Sequence, residues 1–546
     1  MTEPTEGPSL DPIAHLRDDL RSFGARGTHA LVAGTASDAV SGAATDAVTD
    51  VVTDVVTDVV TDTALADRLL AELTASSDHH AELAATVCEL ATDPDPSVSR
   101  RGQQLLFSTI AESLGDAFDP RSVAVHDSVF AHAIDVCRRL PGASHLDARL
   151  SRFGLASAED LLRRKSALSP VRPLSAEDRA RVRKVFVLSR ITLGADVAIT
   201  SIVLQAAQLA FPSADRYLVG PASVGHLLSG VGGARLIEQS YDRRGLLERL
   251  GSWHDVSDML DREMSGLDDA ECLVIDPDSR LTQLGMLPVV RSTVPYLFFE
   301  SRSYRVDEPV HEACGPPLET LGELTAHWLS RALACDDCAT LRPRVAVSSA
   351  DTRAAAAIVD TLRQGGRPFV VAANLGVGGN ARKRIPGDFE MDLVRALLAE
   401  GSAVVLDHGA GEDEARVRAI VDALRAEGRR VYPLDGAHLG APSQRESCDV
   451  LAYQGPVGPF AALAGASDVY VGYDSGFQHI SAAQGVPVVD VFVNPPNAIF
   501  PMRWRPHSAA PVTTILTAAD TAGHRESLAR VLEACRRTRD ASLTRG

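Results

Sequence analysis

Apolar and polar positions change their rhythm twice along this chain. From Leu65 to about Ser166, apolar residues recur at three- and four-residue spacing, as in ADRLLAELTASSDHHAELAATVCELATD and DSVFAHAIDVCRRL. That is the period of amphipathic helices. SAEDLLRRK, Ser157–Lys165, opens like a capping box, with Asp160 three places after Ser157. SPVRPLS, 169–175, carries two prolines that interrupt helix and sheet alike, and it reads as a linker. Beyond it, short apolar runs alternate with helical segments. Strands are predicted at KVFVLSR (from Lys184), RYLVG (from Arg216), ECLVID (from Glu271) and PYLFF (from Pro295). After a break come RVAVS (from Arg344), PFVVAAN (from Pro368), SAVVLDH (from Ser402), RRVYPLD (from Arg429), DVYVGYD and PVVDVFV. Their Val-rich, non-alternating character suits parallel strands buried on both faces. Amphipathic segments such as Phe389–Glu400 and Glu412–Gly428 lie between them.

Two successive β-α arrays predict an α/β protein with two Rossmann-like, doubly wound domains facing a cleft, preceded by an α-helical N-terminal domain. The expected divisions are an acidic, low-complexity, disordered tail at 1–62, helices and linker at 63–174, and α/β domains at 175–343 and 344–546. The second α/β domain ends in a terminal helix. The join between the two falls within Pro309–Pro343.

Composition narrows the function. The chain has 546 residues, 45% of them hydrophobic, and a formal charge of −18. A net charge of that sign argues against a dedicated nucleic-acid binder and against docking on an anionic membrane. The first 62 residues carry eleven Asp/Glu against three Lys/Arg and include TDAVTDVVTDVVTDVV, Thr45–Val60. A four-residue repeat drifts about 40° per repeat around a helix, so no single apolar face persists. No apolar run is long enough to span a bilayer, and the N-terminus lacks a basic start followed by an apolar stretch. Eight cysteines in so long a chain do not make a disulfide framework. The expectation is a cytoplasmic protein with reduced thiols.

Candidate chemistry sits at strand ends. FVVAANLGVGGNARKRIPGDFE puts Gly376, Gly378 and Gly379, then Lys383 and Arg384, after a strand. Glycines let backbone N–H groups approach phosphate oxygens, and the basic pair would neutralise a diphosphate. A tight turn with a solvated basic pair has the same sequence. VVLDHGAGEDE offers Glu412 to ribose hydroxyls, or simply as a helix N-terminal acid. DVYVGYDSGFQHISAAQGVPVVDVF places Asp474, Ser475, Gly476 and His479 at the next turn, where they would meet phosphate and sugar hydroxyls. The alternative for His479 is a core or capping histidine. In the first α/β array, Gly194-Ala195-Asp196 follows the opening strand. Asp196 there is a base for an acceptor hydroxyl or an N-cap. Asp276, Asp278, Arg280 and Gln283, in LVIDPDSRLTQLGMLPV, could bind a hydroxylated acceptor. His311, Cys314, Cys335 and Cys338 have ligand types a structural zinc could use, with free reduced thiols as the alternative.

DSGFQHISAAQGVPVVDVF fits every position of the pattern D-[ST]-G-x-x-H-[LI]-x-A-x-x-G-x-P-[VT]-V-x-[LV]-F. It resembles the heptosyltransferase-like glycosyltransferases of family 9, which have the GT-B fold. NLGVGGNARKRIP is similar to that family's phosphate loop, DHGAGEDE to its nucleotide-contacting segment, and RITLGADVAITSIVLQAAQLAFP to its N-terminal turn. The resemblance runs from about Lys184 to Pro506. Ala195 stands where the family usually has Gly, and Ile202 replaces a common helix proline. The resemblance implies an inverting, metal-independent sugar transfer, often of a heptose, from a nucleotide-diphospho-sugar to a hydroxylated acceptor. The nucleotide sugar is then a co-substrate and no cofactor is required. The C-terminal domain would hold the donor and Asp196 would act as base. A sugar-nucleotide epimerase of the same fold, or a non-catalytic nucleotide-sugar sensor or scaffold, fits the same donor residues.

Overall fold

The computed structural model describes residues 12–25, 63–306, 319–436, 439 and 448–543. The repeat tract Thr45–Val60, together with His311 and Cys314, lies outside them. Two all-parallel sheets organise the rest. In the first, β1 (Lys184–Leu188), β2 (Asp215–Gly220), β3 (Arg235–Glu238), β4 (Cys272–Asp276) and β5 (Tyr296–Phe298) run in the order β3-β2-β1-β4-β5. In the second, the strands are β6 (Val370–Asn374), β7 (Ala403–Asp407), β8 (Val431–Asp435), β9 (Val450–Gln454), β10 (Val469–Tyr473), β11 (Val488–Val493) and β12 (Val512–Thr517). Their order is β12-β11-β10-β6-β7-β9-β8. Strand order reverses between β1 and β4 in one sheet and between β6 and β10 in the other. Loops leaving the carboxyl ends of neighbouring strands diverge at such points and leave a crevice.

The strands are apolar throughout because both faces are covered. Along β1, Val185 and Val187 face a core formed with the helix Ser201–Ala210, while Phe186 and Leu188 face a second core on the opposite side. That second core is continuous with the helical region. Leu83, Leu106, Phe130 and Leu150 pack in the same cluster as Phe186, Leu188, Trp253 and Val274. The N-terminal helices are therefore a layer on the first sheet, without a separate core. Charges cross the seam as well: Lys165, 3% exposed, reaches Asp127 at 2.6 Å and Glu300 at 3.3 Å. The helices start where the caps stand. Asp119 accepts from Ser122 N–H at 3.0 Å ahead of Pro120–Cys137, and the Ser157/Asp160 capping box is formed.

Three expectations need correction. The tail 1–62 is not uniformly without structure: Pro12–Ala25 is a helix that buries Leu16 and Leu20 in the helical core. No strand forms at Arg344. Residues 341–348 run over the first domain instead, where Ala346 N–H bonds Leu227 O at 2.6 Å and Arg344 N–H bonds Ser201 Oγ at 3.1 Å. Its valines pack on the other domain's core, so the segment gains burial without a ladder. Finally, β3, β9 and β12 go unread in the sequence. The edge strands β3 and β12 are largely half-buried or exposed and lack a continuous apolar run. The stretch Leu193–Ala210, long and apolar enough to cross a membrane, is mostly buried as a core helix of the first domain.

Candidate active site

The loops after β6 and β10 meet at the reversal point of the second sheet. Gly378 and Gly379 take left-handed φ values of 61° and 81°, which only glycine adopts cheaply. The loop is held from behind: Gly376 N–H bonds Asn374 Oδ1 at 3.2 Å and Val377 N–H bonds Asp413 Oδ2 at 3.2 Å. A Cβ on Gly376 would lie 3.0 Å from the same Asp413 oxygen, so the chain can pass there only as glycine or with a shift of that carboxylate. A short turn, Ala381–Lys383, then delivers Lys383 Nζ to Asp474 Oδ2 at 2.6 Å. Gln478 Nε2 takes the other Asp474 oxygen at 3.1 Å. Burial alone would lower Lys383, but the Asp474 carboxylate, with Asp116 and Glu112 further off, more than offsets it and holds the lysine raised and charged. Lys383 also lies over the Phe500 ring, 5.6 Å from its centroid.

Not every residue expected at this wall faces it. Arg384 turns away, pairing with Glu390 at 2.6 Å and with Asp413, so it braces the loop against two helices. Glu412 is exposed at the start of its helix, and the neighbouring Asp413 is the acid that holds the glycine loop. His479 is buried beside Trp504, ring centroids 6.0 Å apart. Burial pulls it down to about 4 against the pull of Asp474, so it is a neutral packing residue at neutral pH. Ser475 caps the seven-residue helix Gly476–Ala482 by position, without a side-chain hydrogen bond to it. Gly476 abuts the other domain, since a Cβ on Gly194 would come within 2.9 Å of its Cα. Two groups were missed. Asn374 and Asp407 end β6 and β7 side by side, Nδ2 to Oδ2 at 2.6 Å, and burial pushes Asp407 up to about 6. Their signal was a polar residue closing each apolar run.

The opposite wall comes from the loops after β1 and β4. Asp196 does not present its carboxylate to the cleft; it is 0% exposed. Oδ1 accepts from Arg190 N–H and Thr200 Oγ1, each at 2.7 Å, and Oδ2 accepts from Ser189 Oγ at 2.9 Å. Burial pushes it up to about 6 despite those bonds. A π-helical turn, Asp196–Thr200, begins at this residue, and the Thr200 at its end donates to the carboxylate. Asp276 is equally committed, to Ser279 N–H, Thr282 Oγ1 and Tyr296 OH, each at 2.6 Å. Asp278 is bound by Ser301 Oγ at 2.6 Å with Arg190 at 3.5 Å, and Gln283 by Tyr241 at 3.5 Å. The hydrogen bonds of these side chains close on the loop after β4 and its neighbours. Arg280 differs: its guanidinium makes no hydrogen bond or ion pair among the described residues. Burial, with Arg243, Arg302 and Arg249 nearby, pulls it down to about 10.

A third element reaches the same space, and nothing in its local sequence points there. It is the helix end Glu112–Gly115 with the turn Asp116–Phe118 that follows it, set against Arg302, Asn497 and Phe500. As for zinc, Cys335 is partly exposed and Cys338 is buried, with burial and Cys335 raising its thiol. Among the described residues no group of three or more His, Cys, Asp or Glu is placed to hold a metal.

No protein-family model and no curated protein matches this sequence. Solved structures do match. The family 9 glycosyl transferase of Veillonella parvula is 16% identical, over 61% of this chain and 86% of its own, with a TM-score of 0.44. The heptosyltransferase WaaC of E. coli, solved with ADP, is 14% identical over 64% of this chain and 99% of its own, with a TM-score of 0.43. The ADP-heptose LPS heptosyltransferase II of E. coli is 16% identical over 65% and 99%, with a TM-score of 0.40.

Proposed function

We propose that the chain is a glycosyltransferase that moves a sugar from a nucleotide-diphospho-sugar to an acceptor hydroxyl, with inversion and without a required metal. The observation that carries this reading is the junction of the Gly376–Lys383 loop with the Asp474 turn, at the reversal point of the second sheet. In this reading Gly378 and Gly379 offer backbone N–H groups to the diphosphate. Lys383 meets the charge that grows on the leaving group, a task some enzymes give to a metal ion. Asn374 and Asp407 stand where ribose or base would be read. The carboxylate of Asp474 is engaged on both oxygens, so it orients Lys383 and keeps its own charge from repelling phosphate. The family resemblance makes an ADP-heptose the first donor to try.

A non-catalytic nucleotide-sugar sensor is the second reading, favoured by the enclosure of Asp196. One experiment addresses both: a thermal-shift screen against ADP-, GDP-, UDP- and TDP-sugars, followed by turnover of whichever binds. A ligand at a hundred times its dissociation constant adds about 2.7 kcal/mol of stability. No shift with any nucleotide sugar defeats both readings, and binding without turnover leaves the sensor.

A further inference from the structure

The carboxylates that the cleft loops supply are spoken for. Asp196, Asp276 and Asp278 each accept hydrogen bonds inside their own loops, and Asp474 is shared between Lys383 and Gln478. A transfer reaction still needs a group to take the acceptor's proton. We propose that Asp116, carried into the cleft by the helical region, is that catalytic base, so that the N-terminal helices form a third wall of the active site. The inference rests on the glycosyl-transfer reading above.

The turn that bears Asp116 is fixed to both α/β domains. Phe118 is 1% exposed and belongs to the core that joins the first sheet to Phe492 and Phe500 of the second domain. Its ring lies 6.4 Å from that of Phe500. Its φ of 51° is left-handed, a costly state for phenylalanine that persists where surrounding contacts impose it. Arg305 donates to the Phe118 carbonyl. Gly115 lies flat on Arg302; a Cβ there would sit 2.7 Å from the guanidinium carbon. Asn497 Nδ2, from the second domain, donates to the Asp116 carbonyl at 2.9 Å. Phe500 is also the ring beneath Lys383, so this turn and the lysine share one patch.

Here the Asp116 side chain is half-buried and makes no hydrogen bond or ion pair among the described residues. The charged groups facing it are Arg302, Lys383, Asp474 and Arg280, with Glu112 one turn away. Burial raises its carboxyl, the cations Arg302, Lys383 and Arg280 pull the other way, and Asp474 adds to the rise. Glu112 is the more exposed of the two, and Asp116 is the one whose backbone the second domain holds, through Asn497. In the step itself, the acceptor O–H proton passes to Asp116. The oxygen's electron pair forms the bond to the anomeric carbon as the bond from that carbon to the diphosphate oxygen breaks. The leaving diphosphate keeps those electrons beside Lys383, and Asp116 returns its proton to the solvent in the cleft.

The test uses the full chain, the nucleotide sugar selected by thermal shift, and water as the acceptor. Asp116→Asn keeps the backbone carbonyl that Asn497 holds, so its melting temperature should stay near that of the wild type. Release of free sugar should fall about 10²–10⁴-fold, and the acidic limb of the pH–rate profile should disappear. Affinity for the nucleoside diphosphate alone should hold or tighten, because a negative charge beside Lys383 is removed. Glu112→Gln should lose less than tenfold. An Asp116→Asn protein with wild-type turnover and an unchanged pH profile overturns the step alone, and weaker diphosphate binding overturns the placement. A wild type that binds a nucleotide sugar but neither transfers nor hydrolyses it overturns the step too. A wild type that binds no nucleotide sugar removes the donor reading with it.

Discussion

At the residue scale, committed and uncommitted charges separate structure from chemistry. Lys383 is both: it pairs with a buried aspartate and ends the turn that follows the glycine loop. Lys383→Ala is therefore expected to weaken nucleoside-diphosphate binding by about 10–150-fold, the worth of one charge-assisted contact of about 1.5–3 kcal/mol. It should also lower the melting temperature, because Asp474 loses its cation. Isothermal calorimetry and a thermal melt read the two effects separately. Asp196→Asn should behave differently from Asp116→Asn. An amide can still accept from Arg190 N–H and Thr200 while its NH₂ meets Ser189 Oγ, so turnover should stay within tenfold of wild type. A collapse of turnover at unchanged stability would return the base to Asp196. Asp490 supplies a pH test. It is fully buried in β11, and burial pushes it up to about 8. The folded state then holds a proton that the unfolded chain releases above its ordinary value of about 4. Stability should thus fall as pH rises through that window, by about 1.4 kcal/mol per pH unit from this group. Asp490→Asn should flatten the slope between pH 5 and pH 7, as denaturant unfolding at each pH would show.

At the element scale, the helix Pro12–Ala25 matters most for how the chain is cut. It puts Leu16 and Leu20 into the helical core, and each buried leucine contributes about 1.5–3 kcal/mol. Deleting residues 1–25 should therefore cost about 3–6 kcal/mol in urea unfolding, where a tail of uniform low complexity would cost nothing. The low-complexity texture around this helix hides it, because fourteen residues of modest amphipathicity stand beside a long acidic repeat. The same lesson holds for RVAVS. Its apolar pattern is real and is buried, but the partner is a helix of the other domain, so no ladder forms. Period and composition report burial; they do not say against what.

At the scale of the whole molecule, three layers converge on one cleft: two sheets through their reversal points and the helical region through a single turn. In the proposed transfer reaction, Lys383 and backbone N–H groups of the glycine loop take the place a divalent ion could otherwise fill. Exhaustive treatment with EDTA, then assay in chelator, is expected to leave turnover within twofold of the untreated protein. Loss restored by a divalent metal would mean that the diphosphate is neutralised by an ion.

The strands of both sheets that carry buried, non-alternating valines, the glycine loop, and the Asp474 turn were legible in the sequence, because each is local. Burial on both faces removes alternation, left-handed turns demand glycine, and ligand loops follow strand ends. What tertiary structure alone decided is which side chains remain free. Asp196, Asp276 and Arg384 have the composition of a site, yet their hydrogen bonds close within the protein. Asp116 sits in an ordinary interhelical turn about eighty residues from Asp196. It enters the cleft only because Phe118, Gly115 and Asn497 dock that turn between domains that are far apart along the chain. The sequence determined the chemistry available. Packing determined whose lone pairs and charges were already satisfied, since a carboxylate enclosed by donors has little left for a substrate.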